Sequence, residues 1–96
     1  MRLPRPGSPE DLLRSTAETI ARRSAMEKNA ASALRSVIDM IDNDEAELAL
    51  DDLAHVIECF RIPVLRTEYD QLAALEPLLD STGALLESGV ARFVME

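Results

Sequence analysis

DMIDNDEAELALDDLAHVIE, residues Asp39 to Glu58, holds eight carboxylates and one histidine, with no lysine or arginine. Its apolar residues belong to two helical series separated by the DND triplet at 42–44. The series before it runs Ala30, Ala33, Leu34, Val37, Ile38 and Ile41, and the series after it runs Ala46, Ala49, Leu50, Leu53, Val56, Ile57 and Phe60. Both recur every three to four residues, as one buried face of a helix requires. Asp and Asn compete for backbone hydrogen bonds and favour turns and caps, so the triplet ends one helix and starts the next. A short turn between two amphipathic helices makes them antiparallel neighbours, and that reading decides the fold.

Toward the N-terminus, SPED at 8–11 carries the marks of a helix start. Ser8 suits the N-cap, Pro9 the first helical position, and Glu10 and Asp11 the positive end of the helix dipole. Leu13, Ala17, Ile20, Ala21 and Ser24 form a thin seam rich in small residues. At 100° per residue this seam points roughly 100° away from the stripe that begins at Ala30. No Gly or Pro separates the two, so one long helix is possible. A break near Glu27 to Asn29 would bring both stripes onto one core, and a break is the preferred reading.

Toward the C-terminus, Pro63 cannot continue a helix and pushes Ile62 extended, so RIPVLR closes the helix that contains the acidic run. TEYD reads as the next start, with Thr67 as N-cap and Asp70 as a shortened capping-box acid. Tyr69, Leu72, Ala73, Leu75 and Leu79 can face the core; Pro77 must kink or divide that helix, and Gly83 suits its C-terminal cap. The tail ALLESGVARFVME admits either a short helix or a strand over VARFV.

Composition agrees. The chain has 96 residues, 47% of them apolar and only three aromatic, Phe60, Tyr69 and Phe93, so the core is built from Leu, Ile, Val, Ala and Met. Three glycines and abundant Ala and Leu favour helix over sheet. The expected architecture is all-α: a small antiparallel bundle of four to five helices in a single domain, 1–96. Helices are expected near 9–28, 30–42, 44–60 and 67–80, with an arm at 1–8 and a tail at 84–96.

Charge narrows the function. The formal net charge is −8, distributed as +3 over residues 1–35, −8 over 36–60 and −3 over 61–96. Such a field disfavours nucleic acid and anionic lipid as partners of the acidic segment and attracts cationic surfaces. The single cysteine, Cys59, excludes an intrachain disulfide and fits a reducing cytoplasm. MRLPRPGSP lacks the apolar core of a signal peptide, and no apolar run approaches the ~18 residues of a membrane span.

On a helical wheel Asp44, Glu47, Asp51, His55 and Glu58 fall within about 80° of arc, nearly opposite the apolar stripe. Solvated helices usually mix signs, and the like-charged pair Glu47 and Asp51 costs a few tenths of a kcal/mol with no cation on the helix to relieve it. That tension favours a docking face for a basic partner, made of Asp44, Glu47, Asp51, Asp52, His55 and Glu58. The competing reading is a solvated outer face.

Other chemistries fit poorly. DNDEAELALDDL places Asp42 and Asp44 at the first and third positions of a calcium loop, but Ala46, Glu47 and Leu53 stand where the fifth ligand position, the glycine and the bidentate glutamate belong. One histidine and one cysteine make no zinc site. Asp51 and Asp52 are adjacent and point different ways, so they are not an acid and base pair. There is no glycine-rich phosphate loop and no nucleophile motif. No enzyme activity, metal or cofactor is expected. Arg22, Arg23 and Lys28 form a small basic patch flanked by Glu18 and Glu27, which supports a DNA reader only weakly.

Residues 37–81, VIDMIDNDEAELALDDLAHVIECFRIPVLRTEYDQLAALEPLLD, resemble the MafI-type immunity proteins of bacterial polymorphic toxin systems. Val37–Ile41 match the apolar helix that ends in an acidic turn, Asp44–Glu47 that turn, and Ala49, Leu50 and Leu53 the ALxxL helix that follows. Glu68–Tyr69 match the opening of the last helix. Asn43 stands where that turn is expected to carry glycine, and asparagine tolerates a left-handed backbone. The resemblance implies a cytoplasmic helical protein that binds and neutralises one cognate toxin domain without chemistry of its own. Many such toxins are nucleases with basic clefts, which an acidic helix face complements. A non-enzymatic helical adaptor or regulatory subunit with a basic protein partner is the second expectation, and a small DNA-binding regulator the third. The sequence leaves the oligomeric state open.

Overall fold

The computed structural model describes residues 7–79 and 89–95. Among the described residues four α-helices follow one another: α1 (Pro9–Arg23), α2 (Lys28–Asp42), α3 (Ala46–Phe60) and α4 (Arg66–Leu78). Two two-residue strands accompany them, β1 (Val64–Leu65) before α4 and β2 (Val94–Met95) at the end of the described chain. The architecture is all-α, a small helical bundle with one minimal sheet: α2 packs against α1 and α3, and α1 also packs against α4.

α1 begins as its sequence dictates. Ser8 accepts the Asp11 amide at 3.1 Å, and the Asp11 carboxylate reaches back to the Gly7 amide at 3.0 Å. Two otherwise orphaned donors are thereby satisfied. The helix stops at Arg23, five residues short of the expected end, and residues 24–27 make the turn that separates α1 from α2. The two stripes therefore face one core. Leu13, Ala17, Ile20, Ala30, Leu34, Val37 and Ile41 are all buried.

The α2–α3 turn is a Schellman motif. The Asp44 amide donates to Ile41 O at 3.2 Å and the Glu45 amide to Met40 O at 2.9 Å. The residue in the left-handed conformation is Asp44, at φ 62°, while Asn43 stays at φ −102°. The tolerance expected of Asn43 is thus supplied by its neighbour. α2 runs through Asp42 and caps on Asn43, so the left-handed position falls one residue later than expected. Asp44 consequently lies in the turn, and α3 begins at Ala46 rather than at Asp44.

α3 buries Ala46, Ala49, Leu50, Leu53, Ala54, Val56 and Ile57, but Phe60, expected in the stripe, is 41% exposed. Arg61, at φ 52°, ends the helix in a left-handed cap, and Ile62 folds under it, buried, with its amide on Ile57 O at 3.0 Å.

α4 starts earlier than expected. Thr67 is not its cap; Leu65 occupies that position, and Arg66 opens the helix. Leu65 offers no side-chain acceptor, so only one half of a capping box forms: Glu68, not Asp70, accepts the Leu65 amide at 2.9 Å. Asp70 instead faces Arg66 at 3.4 Å. Leu72, Leu75 and Leu79 are buried and Tyr69 is partly so, whereas Ala73 is exposed. The helix continues through Pro77 and ends one residue later. Gly83 lies outside the described residues.

VARFV proves to be neither helix alone nor strand alone. Val90–Phe93 is a 3-10 turn and Val94–Met95 is a strand lying parallel to β1, with Val64 opposite Val94 and Leu65 opposite Met95. Val90 is fully buried and ties this segment to the core.

Candidate functional site

The acidic face follows from how α3 packs. Its apolar stripe is buried, so the opposite side is turned outward: Glu47, Asp51 and His55 are exposed, Asp52 and Glu58 half-buried. Asp44 joins them as an exposed residue of the preceding turn, not of the helix. Asp39 and Glu45, also exposed, extend the negative surface at the α2–α3 end. Glu47 additionally sits in the first turn of α3, where a carboxylate complements the helix dipole. The six residues thus lie in two structural settings, five on α3 and Asp44 in the turn before it.

The eight carboxylates of residues 39–58 do not act alike. Asp42 is buried, with its side chain 5% exposed, and accepts a two-pronged bond from Arg14: Nε to Oδ1 at 2.8 Å and Nη2 to Oδ2 at 3.3 Å. Arg14 also bonds Glu18 one turn along α1. The hydrogen bond that Arg14 donates to Asp42 holds its guanidinium above the ordinary pKa; burial opposes this, and the charges of Asp42 and Glu18 add to it. Asp42 is therefore a cross-brace between α1 and α2, not part of an acidic docking face.

A second brace joins α1 to the start of α4. Arg23 donates from Nη1 to Glu68 Oε2 at 2.6 Å and from Nη2 to both Glu68 Oε1 and the Pro63 carbonyl, the latter at 3.2 Å. The hydrogen bond to Glu68 raises the Arg23 pKa, against desolvation and with help from the Glu68 charge. Sequence reasoning missed both braces because the partners lie 28 and 45 positions apart. It placed Arg23 instead in a basic patch for nucleic acid, but this guanidinium is held by Glu68 and the Pro63 carbonyl.

His55 and Cys59 stand one turn apart on exposed α3, with Sγ 3.5 Å from Nε2. Among the described residues no three His, Cys, Asp or Glu side chains are arranged to hold a metal ion. A separate open groove of about 260 Å³ runs between α1 and α4, lined by Leu12, Thr16, Leu65, Glu68 and Gln71 among others. Several of its polar groups are engaged: Glu68 holds Arg23, and the Thr16 hydroxyl donates to Leu12 O at 2.8 Å and lies 2.9 Å from the Gln71 side-chain amide oxygen. Among the described residues no helix is long and apolar enough to cross a membrane. Comparison of the chain with protein-family models, curated proteins and solved structures finds no match.

Proposed function

We propose that this chain is an immunity protein that binds a cognate toxin domain, with a nuclease as the favoured class, and blocks it through the acidic α3 face and the turn before it. The observation that carries the reading is the outward, one-signed presentation of Glu47 and Asp51 on α3, continued by Asp44 and Glu45. A cleft that holds phosphates is basic, and carboxylates on a rigid helix offer it fixed counter-charges while steering the approach. The resemblance of residues 37–81 to MafI-type immunity proteins supports the same reading, as do helices of the expected order at those positions. Binding, not chemistry, is the activity proposed, and the cytoplasm is where it would be exercised.

The test is rescue. The toxin domain encoded immediately upstream of this chain is expressed in cells with and without it. Wild type is expected to restore growth, and Glu47→Lys with Asp51→Lys to lose that protection. An unrelieved arrest with wild type, or no toxin-like domain beside the gene, contradicts the proposal and leaves an adaptor for another basic protein.

A further inference from the structure

Glu58 lies at the C-terminal end of the α3 face, and its surroundings differ from those of Glu47. Arg92 brings Nη2 to 3.8 Å from Glu58 Oε1. No cation of α3 does this; the guanidinium comes from the far end of the chain, and the segment around it is built to carry it there. Val90 is fully buried, and β2 pairs with β1 immediately after Phe93. The Arg92 guanidinium lies 5.8 Å from the centre of the Phe93 ring and folds back over Gly89. Gly89 suits the turn by its φ of +75°, which L side chains rarely adopt, and a Cβ there would press on the Arg92 guanidinium, 3.0 Å away at Nη2.

We propose that Arg92 is a built-in competitor, which occupies the Glu58 end of the acidic face in the free protein and is displaced when a cationic partner surface docks. This rests on the reading of α3 as the docking face. The Arg92 side chain is 71% exposed and that of the half-buried Glu58 still 41%, so the contact is an exchangeable one rather than a lock. Exposed ion pairs shift an equilibrium by roughly 1.5- to fivefold. By linkage, a partner cation that takes Glu58 weakens the hold of Arg92 by the same factor that Arg92 weakens the partner.

Octa-arginine serves as the probe, titrated into the full chain while backbone amide signals are followed by NMR. Signals from Glu47 to Glu58 are expected to move, and those of Arg92 and Phe93 to move in the same titration. R92A should tighten binding by roughly 1.5- to fivefold in the wild-type background and by clearly less in an E58Q background, where only its long-range charge effect remains. The second arm matters because removing any positive charge raises affinity for a cation at long range, whatever Arg92 touches. R92Q, which keeps most of the side-chain length, replaces R92A if the Val90 methyl signals show that the tail has shifted. Equal tightening in both backgrounds, or none in either, overturns the competitor role while the α3 face stands. No movement of the α3 signals brings down the docking face and the competitor together.

Discussion

Arg14 and Asp42, 28 residues apart in the chain, meet in a two-pronged ion pair that fixes the start of α1 against the end of α2. Asp42 is nearly inaccessible, so its removal would leave a partly buried guanidinium with Glu18 alone. Asp42→Ala is expected to cost about 1–3 kcal/mol, less than a fully buried pair because Arg14 retains some water and one partner. Urea unfolding measures this, and a loss below ~0.5 kcal/mol would show that the pair does not brace the bundle. The pH dependence has a definite sign. A folded-state pKa raised above the unfolded value gives stability that is full below the latter, so the Arg14 contribution persists through neutral pH and fades only in strong alkali.

Leu53 is fully buried at the centre of α3. Leu53→Ala is expected to destabilise by about 2–5 kcal/mol, through lost apolar transfer and the cavity left behind. A change under ~0.5 kcal/mol would mean that the α3 stripe is turned away from the core.

The helix order, the break between α1 and α2 and most core positions were legible because each rests on local periodicity. Leu50, Leu53 and Ile57 recur at helical spacing, and Pro63 stops what they start. What escaped was set by distant partners. Nothing near Glu68 reveals that Arg23 will reach it, and that contact goes with a start of α4 at Arg66 instead of after Thr67. Phe60 fits the wheel, yet it sits in the last turn before the left-handed Arg61 and is partly exposed. The outward acidic residues of α3 were legible for the reason the core was, since the two faces are complements of one wheel. The separate fate of Asp42 was not, because the same wheel cannot see Arg14.

Asp44 holds a left-handed backbone at φ 62° that closes the α2–α3 turn. Asp44→Val is expected to destabilise by about 1–2 kcal/mol, since a β-branched side chain resists that conformation, whereas Asp44→Gly should stay within about 0.5 kcal/mol of wild type. Thermal unfolding of the two variants checks this. Equal loss in both would assign the effect to the Asp44 side chain rather than to backbone strain.

Cys59 is exposed at the edge of α3 and touches His55. Cys59→Ser should leave stability within about 0.5 kcal/mol, as surface substitutions do, and leave partner binding unchanged. Lost binding by a folded Cys59→Ser protein would place the thiol in the interface and redraw its boundary.

The central claim is that the α3 carboxylates steer and hold a basic partner. Its most direct measurement is the association and dissociation kinetics of wild type and Glu47→Lys with Asp51→Lys against the cognate toxin, at two salt concentrations. Circular dichroism confirms folding, which should survive because both positions point outward. The double variant is expected to associate more slowly, bind more weakly and show less salt dependence, as charges screened beyond ~8–10 Å at ordinary salt must. A folded double variant that binds as fast and as tightly as wild type at both salts would contradict the account and make the acidic helix a solvated face.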